Sequence, residues 1–173
     1  MTYDTVLSMN KRINIAEKEK AIEDLNQFSM KHYQSTDVEF FNVHLKLIND
    51  VCNVKIFDKN NLFVRSSTLS ELMQPEGFKG KHNHHGLSAS EIYLTLKSLS
   101  TPFAVYYSRE ARIVVCSNVA NTRNEKIQVV VELHAGLENN RFANINKIVS
   151  IYPKRNILNK LDSLNEDLLI YKK

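Results

Sequence analysis

The sequence predicts an α+β fold in which a helix packs on an antiparallel sheet of about five strands, preceded by a mainly helical N-terminal extension. Three observations support this prediction. The second half contains short β-branched runs joined by hairpin-length links. A well-capped amphipathic segment comes directly before these runs. The first 80 residues show more helical than strand spacing. Consecutive strands that follow a helix favour antiparallel pairing.

Residues 14–32 predict an amphipathic helix near the start of the chain. Ile15, Ile22 and Leu25 fall near one helical face, with many charged residues between them. We interpret residues 1–80 as a mainly helical extension with a short hairpin. It ends in QPEGFKGKHNHHG, a glycine-containing stretch that is the best candidate for a boundary. Residues 81–173 form the second unit.

The stretch DVEFFNVHLKLINDVC, residues 37–52, fits two kinds of element. Its apolar residues recur at helical spacing: Val38, Phe41, Leu45, Ile48 and Cys52. An overlapping set that begins at Phe41 alternates in the manner of a strand. The length and the Asp at the start favour a helix. Beyond it, VKIFDKNNLFVRS predicts two short strands around a turn, and SSTLSELM predicts a short helical turn.

A well-specified helix opens the second half. Ser88 and Glu91 fit a capping box, and Leu87 and Ile92 fit the hydrophobic staple around it. The helix is expected to continue to about Leu99, because the following Thr-Pro pair disfavours helical backbone.

Five strands are expected after this helix. FAVYYS and ARIVVCS, separated by Arg109 and Glu110, predict a tight hairpin. KIQVVVELH is long and β-branched enough for a central strand, and NKIVSIY predicts a strand that reaches Pro153. RNILNKLDSL predicts a short helix, and DLLIYKK predicts the last strand.

Composition limits the function classes. The 173 residues are 43% hydrophobic, and no apolar run approaches the roughly 20 residues of a membrane span. The N-terminus has no apolar core of a secretion signal. Cys52 and Cys116 lie far apart in apolar surroundings and are expected to be buried free thiols, which fits a reducing cytoplasm. We therefore expect a cytoplasmic protein with no membrane partner.

Positive charge is concentrated in the second half of the chain. Residues 1–80 carry 10 Lys/Arg and 11 Asp/Glu, whereas residues 81–173 carry 13 and 8. A basic half favours a phosphate-rich partner such as nucleic acid. Ordinary solvation of a small domain by Lys and Arg explains the same excess, so charge alone does not decide the partner.

Three of the six histidines, His82, His84 and His85, precede the predicted helix. Zinc needs three or four converging ligands, and the chain has neither a CxxC nor an HExxH pattern, so we predict no metal and no cofactor. A His at a helix start can instead contact phosphate or move a proton near neutral pH, with Lys79 and Lys81 beside it. The alternative is a solvated loop.

The segment HHGLSASEIYLTLKSLSTPFAVYYS resembles the start of nuclease-like C-terminal domains associated with MuF-type phage head proteins. Three more segments resemble the same family in the same order. They are KIQVVVELH, NINKIVSIYPKRN and DLLIYKK, with Glu166-Asp167 where the family has Gly. The resemblance covers about residues 81–173. These domains are grouped with the barnase–EndoU–colicin–RelE superfamily of RNase toxins.

This resemblance implies a metal-independent endoribonuclease, a toxin or phage-associated effector that cleaves RNA by attack of the substrate's own 2′-OH. Carried over by position, His85 is the expected general base or acid. Ser150, Tyr152 and Lys154 match the family's S-x-Y-x-K segment, and they share one sheet face if the strand continues past Pro153. Lys154 would hold phosphate, and Tyr152 would donate a hydrogen bond or stack on a base.

RNA, either tRNA or rRNA, is the expected partner. The expected RNA-binding residues are Lys81, His84, Arg109, Arg112, Arg155 and Asn156. Weaker candidates are His134, which ends the central strand, and the family-matching Asn144 and Asn146.

An immunity or virion protein is expected to bind through residues 1–80. The expected location is therefore the cytoplasm, with association with a virion as a further possibility. Two other functions stay open. One is a non-catalytic RNA- or protein-binding module on a degenerate nuclease fold. The other is a metal-dependent nuclease that uses the histidine loop.

Overall fold

The computed structural model describes residues 18–27, 37–40, 43–76, 84–109, 111–137 and 139–173. Within these ranges the chain forms five helices and seven strands. The helices are α1 (residues 18–27), α2 (Lys46–Cys52), α3 (Ser66–Met73), α4 (Ala89–Lys97) and α5 (Ile157–Asp162). The strands are β1 (Asp37–Phe40), β2 (Leu62–Arg65), β3 (Ala104–Arg109), β4 (Arg112–Ala120), β5 (Lys126–Leu137), β6 (Asn140–Lys154) and β7 (Leu169–Lys172).

The seven strands form one mixed sheet in the order β1-β2-β6-β5-β4-β3-β7. The α+β class is confirmed, and the five strands predicted in the second half form its antiparallel part. The expectation of a sheet of about five antiparallel strands did not include β1, and it did not include β2, although LFVR was predicted to be a strand of a separate hairpin. It also missed the parallel pairing of β2 with β6, where Phe63 lies opposite Lys147 and Val64 opposite Ile148. Such a pair needs a long crossover, and α3, α4 and the strands β3 to β5 supply it.

Residues 37–52 do not form the single helix that their spacing favoured. Residues 37–40 are a strand, because pairing with β2 satisfies their backbone groups in a register from Asp37–Arg65 to Phe40–Leu62. The helix α2 begins only at Lys46. Tertiary pairing therefore decides the conformation of a segment whose local pattern allows both forms.

The hairpin predicted over VKIFDKNNLFVRS is also wrong, because only its second half is a strand. Residues 55–57 are not part of any strand in the structure. The backbone N–H groups of Ile56 and Phe57 donate instead to the Asn49 side-chain oxygen of α2, at 2.8 and 2.9 Å.

Of the other predicted N-terminal elements, SSTLSELM is confirmed as α3. The helix α1 lies within the predicted helix of residues 14–32, of which residues 14–17 and 28–32 lie outside the described residues.

The helix start predicted at Ser88 is confirmed. The Ser88 hydroxyl accepts a hydrogen bond from the Glu91 backbone N–H at 3.1 Å, and Leu87 and Ile92 are both buried. The hairpin between β3 and β4 is also confirmed, although its turn lies one residue further on. Arg109 pairs with Arg112, and Ala111 takes up the positive φ of 50° that a two-residue turn requires.

The two faces of the sheet pack against different helices. The larger core lies on one face, where Val105, Val115, Val129 and Ile151 meet apolar residues of α1 to α4. A smaller core lies on the other face, where residues such as Tyr106 and Cys116 pack against Ile157 and Leu161 of α5. Because side chains alternate along each strand, each residue of the larger core is followed by one on the opposite face, as Val105 is by Tyr106 and Val115 by Cys116.

The first 73 residues contribute directly to the larger core and to the sheet. Leu25, Leu45, Leu62 and Leu69 are buried in the same cluster as the strands of the second half. Residues 1–80 were expected to be mainly helical, and their described part adds two strands to three helices. None of the helices that the structure describes is long and apolar enough to cross a membrane.

Asn146 on β6 joins the two parts of the chain. It is 6% exposed, and its amide nitrogen donates to the backbone carbonyls of Lys59 at 3.0 Å and Asn61 at 2.9 Å. Lys147 adds an ion pair with Asp37 at 2.9 Å, at the start of β1. Asn146 is therefore a structural residue that holds the approach to β2 against β6.

Replacing Asn146 with Ala is expected to lower the free energy of unfolding by about 1–3 kcal/mol, because carbonyl groups near the core lose their donor. Urea unfolding followed by circular dichroism measures this change. The control is Asn144→Ala, two positions away on the same strand and exposed, for which we expect less than about 0.5 kcal/mol. Equal effects of the two substitutions would contradict the assigned role of Asn146.

Candidate functional site

The loop that carries His85 is fixed by two backbone hydrogen bonds to the end of α3. The Gly86 N–H donates to the Gln74 carbonyl at 2.6 Å, and the Leu87 N–H donates to the Leu72 carbonyl at 3.1 Å. Gly86 has a φ of +61°, a conformation that is strained for most residues with a side chain. The glycine of the His-Gly-Leu motif thus allows the turn that places His85 ahead of α4.

The neighbouring histidines have different surroundings. His84 is 5% exposed, so it belongs to the interior, although it was predicted to contact RNA. His85 is only partly buried, and its ring faces the Tyr152 ring with a centroid separation of 5.8 Å and an interplanar angle of 39°. Lys79, Lys81 and His82 lie outside the described residues. His85 is therefore the described member of the motif that is exposed to a ligand.

Burial lowers the pKa of the His85 imidazole, Glu76 opposes the shift by attracting positive charge, and His84 adds to it. Removal from water disfavours the charged ring, and this effect is larger than the attraction to the carboxylate. A His with a pKa below its usual value is neutral at pH 7. Its ring can then accept a proton or a hydrogen bond.

Tyr152 lies on the sheet face that packs against α5. Cross-strand pairing aligns Tyr152 with Gln128 on β5, and Gln128 with Cys116 on β4. The Tyr106 hydroxyl donates to the Gln128 side-chain oxygen at 3.2 Å. Burial raises the pKa of the Tyr152 hydroxyl, and a hydrogen bond with Tyr106 opposes part of that rise. Tyr152 is therefore a protonated hydroxyl at the edge of a buried polar row.

Ser150, Tyr152 and Lys154 occupy alternate positions of β6 and so share one face of the sheet. The strand continues through Pro153 to Lys154, as this arrangement requires. Pro153 lacks an N–H group, but no described strand pairs with β6 on its outer side at this point, so no ladder bond is lost there. The structure thus brings His85 and these three predicted residues to the same end of β6.

Arg155 and Asn156 follow β6 directly and line a groove of about 740 Å³ between the β4–β5 turn and α5. Arg155 pairs with Glu125 at 3.3 Å, and Arg123 pairs with both Glu125 and Glu76. Glu76 also lies near enough to His85 to affect its pKa. A chain of alternating charges therefore connects the loop of His85 to the groove.

Three other predicted residues lie at the opposite end of the strands. Arg109 and Arg112 flank the β3–β4 turn, and Arg112 pairs with Glu132 at 3.7 Å. Glu132 is six residues from Lys126 along β5, roughly 20 Å at about 3.3 Å per residue. His134 contacts the Asn144 side-chain oxygen at 2.8 Å at this same far end. These residues do not converge with His85.

The part of the chain that the structure describes contains no group of three or more His, Cys, Asp or Glu side chains suited to a metal ion. Cys52 and Cys116 are both free and buried, as predicted from their apolar surroundings. Burial raises the pKa of the Cys52 thiol to about 11 and that of Cys116 to about 12, so both remain protonated.

Sequence reasoning missed three residues of this region: Tyr106, Lys126 and Gln128. Gln128 is fully buried within the otherwise apolar run IQVVV, residues 127–131, and a single polar residue in such a run is a usable signal. Tyr106 and Lys126 gave no comparable signal, because their position beside Tyr152 and Lys154 depends on the register of four strands.

The lowered pKa of His85 predicts a loss of stability on mild acidification. The unfolded chain binds a proton at the usual His pKa, while the folded chain binds it only at lower pH. Between these two pKa values the unfolded state holds more protons, so stability falls as the pH drops from 7.5 to 5.5. Thermal unfolding measures the change, and His85→Asn is expected to reduce it. The control His44→Asn, at an exposed position, should keep the wild-type pH dependence of stability. If stability fell as much in His85→Asn as in the wild type, the prediction would be contradicted.

Comparison with known proteins identifies the second half of the chain. The model of the phage MuF C-terminal domain family matches residues 78–173. No curated protein matches the chain. No solved structure matches it. The matched region contains α4, α5 and the strands β3 to β7, together with His85, Tyr152 and the groove. Because the match spans more than half of the sequence, the chain belongs to the phage MuF C-terminal domain family.

Proposed function

We propose that this protein is a metal-independent endoribonuclease of the barnase–EndoU–colicin–RelE superfamily, acting as a toxin or phage-associated effector. The observation that carries the proposal is the contact of His85 with Tyr152 beside a basic groove. A neutral imidazole beside a sheet face that carries a protonated phenol and a lysine can supply the proton transfer and charge stabilisation that RNA transphosphorylation needs. The phage family supports the biological setting.

Each group has a distinct role in the proposed reaction. His85 takes the proton from the ribose 2′-OH, and the 2′-oxygen attacks the adjacent phosphorus. Lys154 stabilises the added negative charge on the phosphoryl oxygens, and the Tyr152 hydroxyl donates a hydrogen bond to the same group. The bond to the 5′-oxygen breaks, that oxygen takes a proton from solvent water, and His85 returns the 2′-OH proton to solvent. The products are a 2′,3′-cyclic phosphate and a 5′-hydroxyl end, and no metal is needed.

The substrate in this proposal is tRNA or rRNA in a bacterial cytoplasm, reached directly or after delivery with a virion. An immunity or virion protein is proposed to bind through the N-terminal part. Leu47, Val51 and Val54, on or just after α2, are exposed apolar side chains in that part of the chain. Exposed apolar residues grouped along one short segment are suited to a protein partner.

Replacing His85 with Ala is expected to lower the rate of RNA cleavage at least about 100-fold, because the reaction loses its general base. The assay is a denaturing gel of tRNA and rRNA incubated with the purified protein in EDTA, with the product ends typed. The control is His44→Ala, in which an exposed His distant in sequence is removed. Circular dichroism shows whether both variants remain folded.

A folded His85→Ala variant with the wild-type rate would contradict the proposal. Activity that disappears in EDTA and returns with one defined metal would instead indicate a metal-dependent nuclease. RNA binding that weakens with salt, with no cleavage under any condition, would indicate a non-catalytic binding module.

A further inference from the structure

The groove beside Tyr152 is formed by three separate segments of the chain. Phe103 precedes β3, residues 123–126 run from the β4–β5 turn into β5, and residues 154–159 run from the end of β6 into α5. Its volume of about 740 Å³ lies in the range of about 300–1,000 Å³ that is typical of small-ligand pockets. This size suits one or two nucleotides of a single strand.

The two arginines of the groove are already neutralised by carboxylates. Arg123 pairs with Glu76 and lies 4.0 Å from Glu125, and Arg155 pairs with Glu125 at 3.3 Å. The Glu125 carboxylate is only 12% exposed and also accepts from the Asn121 amide at 3.0 Å. An anion that enters the groove must therefore compete with these carboxylates for the arginines.

Unlike the two arginines, the two lysines of the groove are not neutralised by a described carboxylate. Lys126 and Lys154 lie directly opposite each other on β5 and β6, so their side chains project from the same face. Neither forms an ion pair with a described carboxylate. Like charges directly across a sheet destabilise it. This unfavourable pair is therefore better explained by a ligand than by folding.

Phe103 helps to hold this lysine pair in place. The Lys126 ammonium lies over the Phe103 ring, 4.7 Å from its centroid, which is within the range of a cation–π contact. Both lysines are partly buried and line the groove. Lys126 is thus positioned beside Lys154 before any ligand binds.

From this arrangement we infer that Lys126 and Lys154 form a phosphate-binding pair that holds a backbone phosphodiester of single-stranded RNA in the groove. The inference rests on the proposed function and extends it, because it assigns Lys126, which was not among the residues expected from the sequence to bind RNA, as a substrate-binding residue. Lys154 is two positions from Tyr152 on the same face, so the bound phosphate would be next to the His85–Tyr152 pair. Two lysines give the charge for a phosphate, and the neutralised arginines form the rim.

The test measures binding without cleavage. The probe is a fluorescein-labelled ten-nucleotide RNA with 2′-O-methyl groups throughout, which cannot react through the 2′-oxygen. Fluorescence anisotropy gives the dissociation constant of the full chain over a range of salt concentrations. Lys126→Gln and Lys154→Gln are each expected to weaken binding on the order of tenfold at low salt. Each should also reduce the salt dependence, by about 0.7 in slope for one phosphate contact on a single strand.

The control variant Lys160→Gln removes the same charge from a lysine of α5 that does not line the groove. It is expected to weaken binding less than about threefold, since Lys160 provides no phosphate contact in the groove. Equal losses in all three variants would show a general charge effect and overturn the lysine pair. Failure of the wild-type chain to bind the probe would also overturn it.

Cleavage of unmodified RNA, measured in parallel, separates this inference from the proposed activity. If the wild-type chain binds RNA through the two lysines but cleaves nothing, the phosphate-binding pair is supported and the ribonuclease activity is refuted. If the wild-type chain cleaves RNA, and both lysine variants bind and cleave as well as it does, the phosphate-binding pair is refuted and the ribonuclease activity is supported.

Discussion

The structure depends on the way β6 is paired along its length. Its partner β5 follows it on one side over nearly the whole strand, whereas β2 meets it on the other side only at Lys147 and Ile148. The first contact builds the antiparallel sheet of the phage MuF C-terminal domain. The second contact joins that sheet to the N-terminal strands, and it ends before the residues of the candidate site begin.

The site is located where this second pairing stops. Because no described strand borders the last residues of β6, the loop ahead of α4 can bring His85 against Tyr152. The same end of the sheet carries Lys126 and Lys154, and the carboxylates of Glu76 and Glu125 neutralise the neighbouring arginines. The ends of β5 and β6 and the loop of His85 thus bring a titratable ring, a hydroxyl and a pair of cations to the same end of the sheet.

Local signals in the sequence were sufficient for the elements of the second half. The Ser88 cap, the tight β3–β4 hairpin and the alternation along β6 are each set by residues near in sequence. The strand β1 and the parallel pairing of β2 were missed, because both depend on partners distant along the chain. The same reason explains the placement of the site residues: Arg109 and Arg112 lie at the end of the strands opposite to His85. Lys126 is identified only by its neighbour across the sheet.

The N-terminal part contributes strands to the same sheet and side chains to the same core as the family domain. The most direct measurement is denaturant unfolding of residues 78–173 alone, beside the full chain. Nearly half of the large core comes from residues before this segment, so we predict no cooperative transition for the shorter chain. A sharp transition at a denaturant concentration like that of the full chain would contradict it.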